Sequence, residues 1–207
     1  MRLVGTVMLV MLDHLCPAQD TNARLRAELE RIHELDQLDR HNVSSYPSGA
    51  QKDSVIAHMA MQDSLDLVRV MAIIDSAGWL GEAEIGHTAN QTLFLVIQHA
   101  DAQPGIQADY LPVMQEAVEQ GKARADEWAM LVDRVAVNSS KPQVYGSQIG
   151  WKNGKPYVQP IADEEHVNER RKAVGLEPLE TYTERFGFSW SPPEHKDRVL
   201  LLGPVSH

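Results

Sequence analysis

Histidine is the side chain whose ordinary pKa lies closest to neutral, so it is the first place to look for proton chemistry. Of nine histidines, His99 has the most telling setting. Five apolar residues, Leu93 to Ile97, run directly into Gln98-His99-Ala100-Asp101. At about 100° per residue, Gln98 and Asp101 fall about 60° apart on a helix, while His99 points about 160° from Asp101. His99 and Asp101 therefore meet only if the helix ends between them; otherwise they serve different neighbours. The chemical reading makes His99 a general acid or base, with Asp101 orienting it or a substrate. The structural alternative has His99 hydrogen-bonded in the core and Asp101 closing a turn before Pro104.

Three other stretches carry polar chemistry. In Asp36-Gln37-Leu38-Asp39-Arg40, Gln37 and Arg40 share a helix face and Asp36 reaches Arg40 at i,i+4. Arg40 would bind an anion with Asp36 holding it in place; the alternative is a solvated helix face. Asp133-Arg134 closes an apolar helix, so at least one of the two charges needs a partner inside. A structural salt bridge or an orienting role for Asp133 both fit. Gln143-Val144-Tyr145-Gly146-Ser147-Gln148 reads as a strand, with Gln143, Tyr145 and Ser147 on one face and Gln148 on the other. Tyr145 would donate to a substrate oxygen, and Gly146 leaves room for a close approach. Ser147 lacks the GxSxG elbow of a nucleophile. The alternative is a half-polar edge strand.

Metal and nucleotide chemistry find little support. His33, Gln37 and His41 share a face but lack a third strong ligand, and the other histidines form no HExxH pattern. No phosphate loop or dinucleotide fingerprint is present. No metal and no cofactor are expected. A formal charge of −10 argues against nucleic acid or an anionic membrane as partner.

These residues need elements to hold them. Arg2, the apolar stretch Leu3–Leu12 and the boundary Cys16-Pro17-Ala18 read as an export signal over residues 1–18. The mature protein would then be periplasmic or secreted, with no cysteine and no membrane-spanning segment. If the segment is not a signal, it is a short helix of a cytoplasmic protein. Residues 19–190 read as a single mainly helical domain, and 191–207 as a mobile tail. A helix from Asp20 or Thr21 to about Asn42 carries Leu25, Leu29, Ile32 and Leu35/Leu38 as its stripe. A second, about 53–77, uses Val55, Met59, Leu65, Val68, Met71, Ala72 and Ile74 and ends at Gly78. After a connection over Glu82–His87, Thr88 caps a buried central helix, about 88–101. Two more helices follow, about 107–120 and 124–137. Pro112 suits only a first turn and would move the start of the former towards 109–111. Asn153-Gly154 marks a β-hairpin over about 143–161. Asp163 caps a helix to Val174, and a shorter helix spans 178–186. The fold class is mainly α: a helical bundle around the central helix, with one hairpin.

Taken together, the motifs resemble one mostly bacterial, uncharacterised family, domain of unknown function 6624. The resemblance rests on Asp36-Gln37 with Arg40, Gly78-Trp79, LFLVIQHAD at 93–101 and Tyr110-Leu111-Pro112. It continues through Asp133-Arg134, Gln143 with Tyr145-Gly146-Ser147-Gln148, and Asp163 through Arg170-Arg171 to Gly175-Leu176. Asp66, Ser147 and Leu80 depart from the family's frequent Asn, Thr and Pro. The resemblance implies that polar residues weighed singly form one site. His99, Asp101 and Asp133 would be catalytic; Arg40, Gln37, Asp36, Gln98, Arg134, Gln143, Tyr145 and Gln148 would bind a small polar ligand. The expected activity is that of a hydrolase or group transferase using His99 as acid/base. The alternatives are a non-catalytic extracytoplasmic binding domain, or a hydrogen-bond network that fixes the hairpin to the bundle.

Overall fold

The computed structural model describes residues 17–192; most of the expected export signal and nearly all of the expected tail lie outside them. The described chain is mainly helical with one hairpin. Its order is α1 (Pro17–Asn42), a 3-10 turn (Val43–Ser45), α2 (Ala50–Ala77), α3 (Glu82–Ile85), α4 (His87–Gln98), α5 (Pro104–Glu119) and α6 (Ala125–Asn138). Strands β1 (Ile149–Lys152) and β2 (Lys155–Val158) and helices α7 (Val167–Ala173) and α8 (Leu179–Glu184) complete it. Among the described residues no helix is long and apolar enough to cross a membrane.

Helix α4 is the axis of the bundle. Leu93, Phe94, Val96 and Ile97 are all buried, as an all-round apolar run requires. It packs against α1, α2, α5 and α6. The helix starts at His87 after Gly86, whose φ is +82°; Thr88 is not its cap, because the chain turns into the helix at that glycine, two residues earlier. The expected connection before it contains α3, closed by Gly81 N–H donating to the Glu84 carboxylate at 2.7 Å.

The inward faces of α1 and α2 differ from the expected stripes. On α1, Leu35 and Leu38 are exposed. The inward stripe runs Leu25, Leu29, Ile32 and then Asp36, at helical spacing of four, three and four. On α2, Leu65 and Val68 face solvent, and Asp66, Leu67, Val70, Ile73 and Ile74 face inward. Both helices are apolar on two sides, so periodicity alone admits two faces. In each, the buried one carries the aspartate.

Helix α5 begins at Pro104 and continues through Pro112. Pro112 is not confined to the first turn because it lies on the exposed side with Ala108. The carbonyl that loses its helical partner, Ala108, can be hydrated there.

The hairpin is shorter than expected. β1 and β2 pair antiparallel, Ile149 opposite Val158 and Trp151 opposite Pro156. Asn153 and Gly154 both have positive φ, 53° and 74°, the geometry of a tight two-residue hairpin turn. Residues 143–148 are not a strand, and the alternation of faces expected for Tyr145, Ser147 and Gln148 does not hold. Gly146 at φ +71° breaks the extended run. An isolated parallel bridge, Gln143 to Ile161, and a bond from the Gln159 N–H to the Gln148 carbonyl link this loop to the sheet side. The helix expected from Asp163 starts instead at Val167. The Asp163 carboxylate faces His166 and Arg170 at 3.0 and 3.3 Å, one turn ahead of α7, whose N-cap residue is His166. A small second core of Ile161, Val167 and Leu179 sits beneath the hairpin.

Candidate functional site

Helix α4 stops at Gln98, and His99 is its C-cap residue, with φ −86° and ψ 0°. The end of the helix separates the two groups that follow it. His99 turns towards α1, where its Nδ1 lies 3.1 Å from Asp36 Oδ1. Asp101 turns the other way, accepting from Arg134 Nη1 at 3.2 Å and Gln107 Nε2 at 3.1 Å. They serve different neighbours, and Asp36 is the carboxylate that orients His99.

Asp36 is the hub of this end of the bundle. Its Oδ1 also accepts from Arg40 Nε at 2.8 Å, and its Oδ2 accepts from Gln37 Nε2 at 2.6 Å. Burial raises the pKa of this carboxyl, but the His99 and Arg40 hydrogen bonds and charges outweigh burial and hold it down to about 2. An ionised carboxylate can only accept, so His99 Nδ1 must carry the hydrogen in this pair. In the neutral ring, Nε2 is then the basic nitrogen. The His99 side chain is 17% exposed and lines two clefts. One, of about 210 Å³, lies against Arg40, Asp63, Ser64 and Asp101. The other, of about 360 Å³, runs between α4, α6, the hairpin and α8.

Arg40 is already neutralised. Beyond Asp36, its Nη2 donates to Asp63 on α2 at 2.6 Å. Asp66 lies one turn further on, accepting from Gln62 at 2.9 Å. Burial and then the nearby Asp36 and Asp63 charges raise its pKa. Two carboxylates thus hold one guanidinium, with the Asp66 carboxyl close enough to feel both charges, which argues against a bound anion at Arg40. Among the described residues, no group of three His, Cys, Asp or Glu side chains converges to hold a metal ion.

A second group of the expected residues lies elsewhere. Asp133 is fully buried and accepts three backbone N–H groups, from Val144, Tyr145 and Ser147, at 2.7–2.9 Å. It folds the 143–148 loop. Gln143, also fully buried, donates to the carbonyls of Gln148 and Gln159 and accepts from Gln148 N–H. Gln148 donates to Ser147 Oγ and to the Met130 carbonyl, and its side chain reaches the larger cleft. Tyr145 is buried edge-on against Trp128, centroids 6.4 Å apart, and lines neither cleft beside His99. A Cβ on Gly146 would sit 2.8 Å from Ile161 Cδ1. The close approach there is by core side chains.

The structure therefore brings together Asp36, Gln37, Arg40 and His99. Around the larger cleft it adds Gln98, Arg134 and Gln148. It leaves Asp133, Gln143 and Tyr145 in the loop's own framework. Sequence reasoning missed Asp63, Gln107, Trp151, Arg171 and Tyr182. Fully buried Gln107 ties the Gln98 carbonyl and Asp101 to Asn138. Arg171, also fully buried, donates to the carbonyls of Glu177 and Tyr145 and lies under the Tyr182 ring at 5.0 Å. One signal was available for Asp36: it continues the apolar stripe of α1. Away from His99, Glu127 on α6 is buried with a long bond from Gln91, 3.3 Å. Burial and then the Asp126 charge push its pKa up to about 7.

Fold and site together define a mainly helical domain with one hairpin, organised at the end of a buried helix by a histidine–aspartate pair. The chain belongs to a family described as a family of unknown function (DUF6624), which matches residues 23–189. No curated protein and no solved structure matches it.

Proposed function

We propose that the protein is an extracytoplasmic acid–base enzyme, a hydrolase or group transferase acting on a small polar ligand, with His99 as the proton-transfer group. The carrying observation is the Asp36–His99 pair, 3.1 Å apart, at the junction of two clefts. Asp36 fixes the tautomer and stabilises the imidazolium formed when Nε2 takes a proton. The proton comes from water or a substrate hydroxyl as its oxygen attacks, and returns from Nε2 to the leaving group. Arg40 and Gln37 act by holding the Asp36 carboxylate. Asp133, Gln143 and Tyr145 support the loop that closes the far side. The export signal read in residues 1–18 supports a place outside the cytoplasm.

Two measurements test this reading. Imidazole ¹⁵N shifts of neutral His99 are expected to show the Nδ1–H tautomer, and to lose that preference in Asp36→Asn. A thermal-shift screen with envelope metabolites then supplies a ligand. His99→Gln is expected to stay folded, with a modestly lower melting temperature because Asp36 loses its imidazole partner, and to keep the binding but abolish turnover. An Nε2–H tautomer in the native protein, or undiminished turnover by His99→Gln, refutes it.

A further inference from the structure

The larger cleft beside His99 has a wall that the acid–base reading does not use. Alternation along β1 puts Ile149 and Trp151 on one face, and both line this cleft. Trp151 is 63% exposed, an unusual position for so large an apolar ring. Tyr182 lines the same cleft, and it is fixed from two sides. Its hydroxyl donates to the Ser147 carbonyl at 2.9 Å, and the Arg171 guanidinium lies 5.0 Å from its ring centroid. Three glutamines, Gln98, Gln148 and Gln159, join Arg134 and Ser147 in the polar lining. At about 360 Å³, the cleft falls within the range of small-molecule sites, about 300–1,000 Å³.

Charge selects among the ring-shaped ligands that would fit. Both guanidiniums near His99 are paired, Arg134 with Asp101 and Arg40 with Asp36 and Asp63. Of these groups only Arg134 lines the larger cleft, and its charge is met by Asp101, so the cleft offers a phosphate no unpaired cation. A neutral ring rich in hydroxyls suits it better. A pyranose has an apolar C–H face that packs on an indole. Its hydroxyls both donate and accept, matching glutamine amides that do the same.

Resting on the acid–base reading of the same site, we propose that the ligand of this cleft is a saccharide, its ring packed on Trp151 and its hydroxyls read by Gln98, Gln148 and Gln159. Trp151 is a binding residue here and takes no part in proton transfer.

The test uses the protein with glucose, N-acetylglucosamine and their β-1,4-linked disaccharides as probes, and AMP and uridine as comparators. Binding is followed by the indole N–H signals of the four tryptophans and by intrinsic fluorescence. A saccharide at millimolar concentration is expected to shift the Trp151 signal and leave Trp79 unmoved. Trp151→Ala is expected to lose about ten-fold in affinity, with its melting temperature unchanged because the ring is exposed. No saccharide shift at Trp151, equal affinity in Trp151→Ala, or tighter binding of AMP than of every sugar each overturns the proposal. Those outcomes leave the His99 tautomer measurement intact, so the two readings fail separately.

Discussion

At the scale of single residues, two carboxyl groups give stability opposite dependences on pH. Asp36 is buried, and its folded pKa of about 2 lies below its ordinary 3.8. Its contribution is therefore fully present above about pH 4 and lost as pH falls through about 2. A shift of nearly two units corresponds to on the order of 2 kcal/mol. Asp36→Asn should lower stability at pH 7 by about that amount and flatten the acid limb in urea melts collected from pH 5 to pH 2. Glu127 runs the other way. Its folded pKa, about 7, lies above its ordinary 4.5. Its contribution is present below about pH 4.5 and is lost as pH rises through 7. Glu127→Gln should melt higher than the native protein at pH 8, by up to about 3 kcal/mol of stability, with the gain vanishing at pH 5. Calorimetry across that range checks it.

At the scale of elements, the loop of residues 143–148 shows how a buried charge shapes backbone. Asp133 accepts three N–H groups from it, while Arg171 holds its Tyr145 carbonyl from the other side. Asp133→Ala would leave those donors buried and unpaired, at about 1–3 kcal/mol each. The expected result is a loss of at least about 3 kcal/mol and fast amide exchange at Val144, Tyr145 and Ser147. Exchange mass spectrometry should find α4 unaffected unless the whole molecule unfolds. This loop was also the element least legible in the sequence. Alternating polar and apolar residues satisfy the pattern of a strand. Asp133, which overrides the pattern, lies ten residues upstream of Gln143 and acts through backbone groups that carry no sequence signature. The Asn153-Gly154 turn was legible because those residue types themselves favour the positive φ angles found.

At the scale of the whole molecule, the helical class and the central position of α4 followed from one run of apolar residues. Leu93 and Ile97 have no exposure, and α4 is expected to hold the slowest-exchanging amides in native-state hydrogen exchange. An early loss of protection there, ahead of α7 and α8, would contradict that placement. The site was half legible. Residue types drew attention to His99, Asp36 and Arg40, but the His99–Asp36 contact spans 63 positions and no local spacing encodes it. The stripes of α1 and α2 hold in part, with Leu25, Leu29, Ile32 and Ile74 inward but Leu35, Leu38, Leu65 and Val68 outward, for a related reason. A search for greasy stripes passes over aspartates, yet Asp36 and Asp66 occupy the inward register.

The position of Asp36 on the first helix has a consequence for how the molecule comes alive. His99 gains its orienting anion only when the opening segment of the chain has docked on the middle one, and Arg40 then clasps the pair to α2. Chemical competence should therefore arise last, as a certificate that three distant stretches have assembled. A version begun after residue 46 would keep the imidazole and remain silent, until a separate peptide spanning 17–46 restored it.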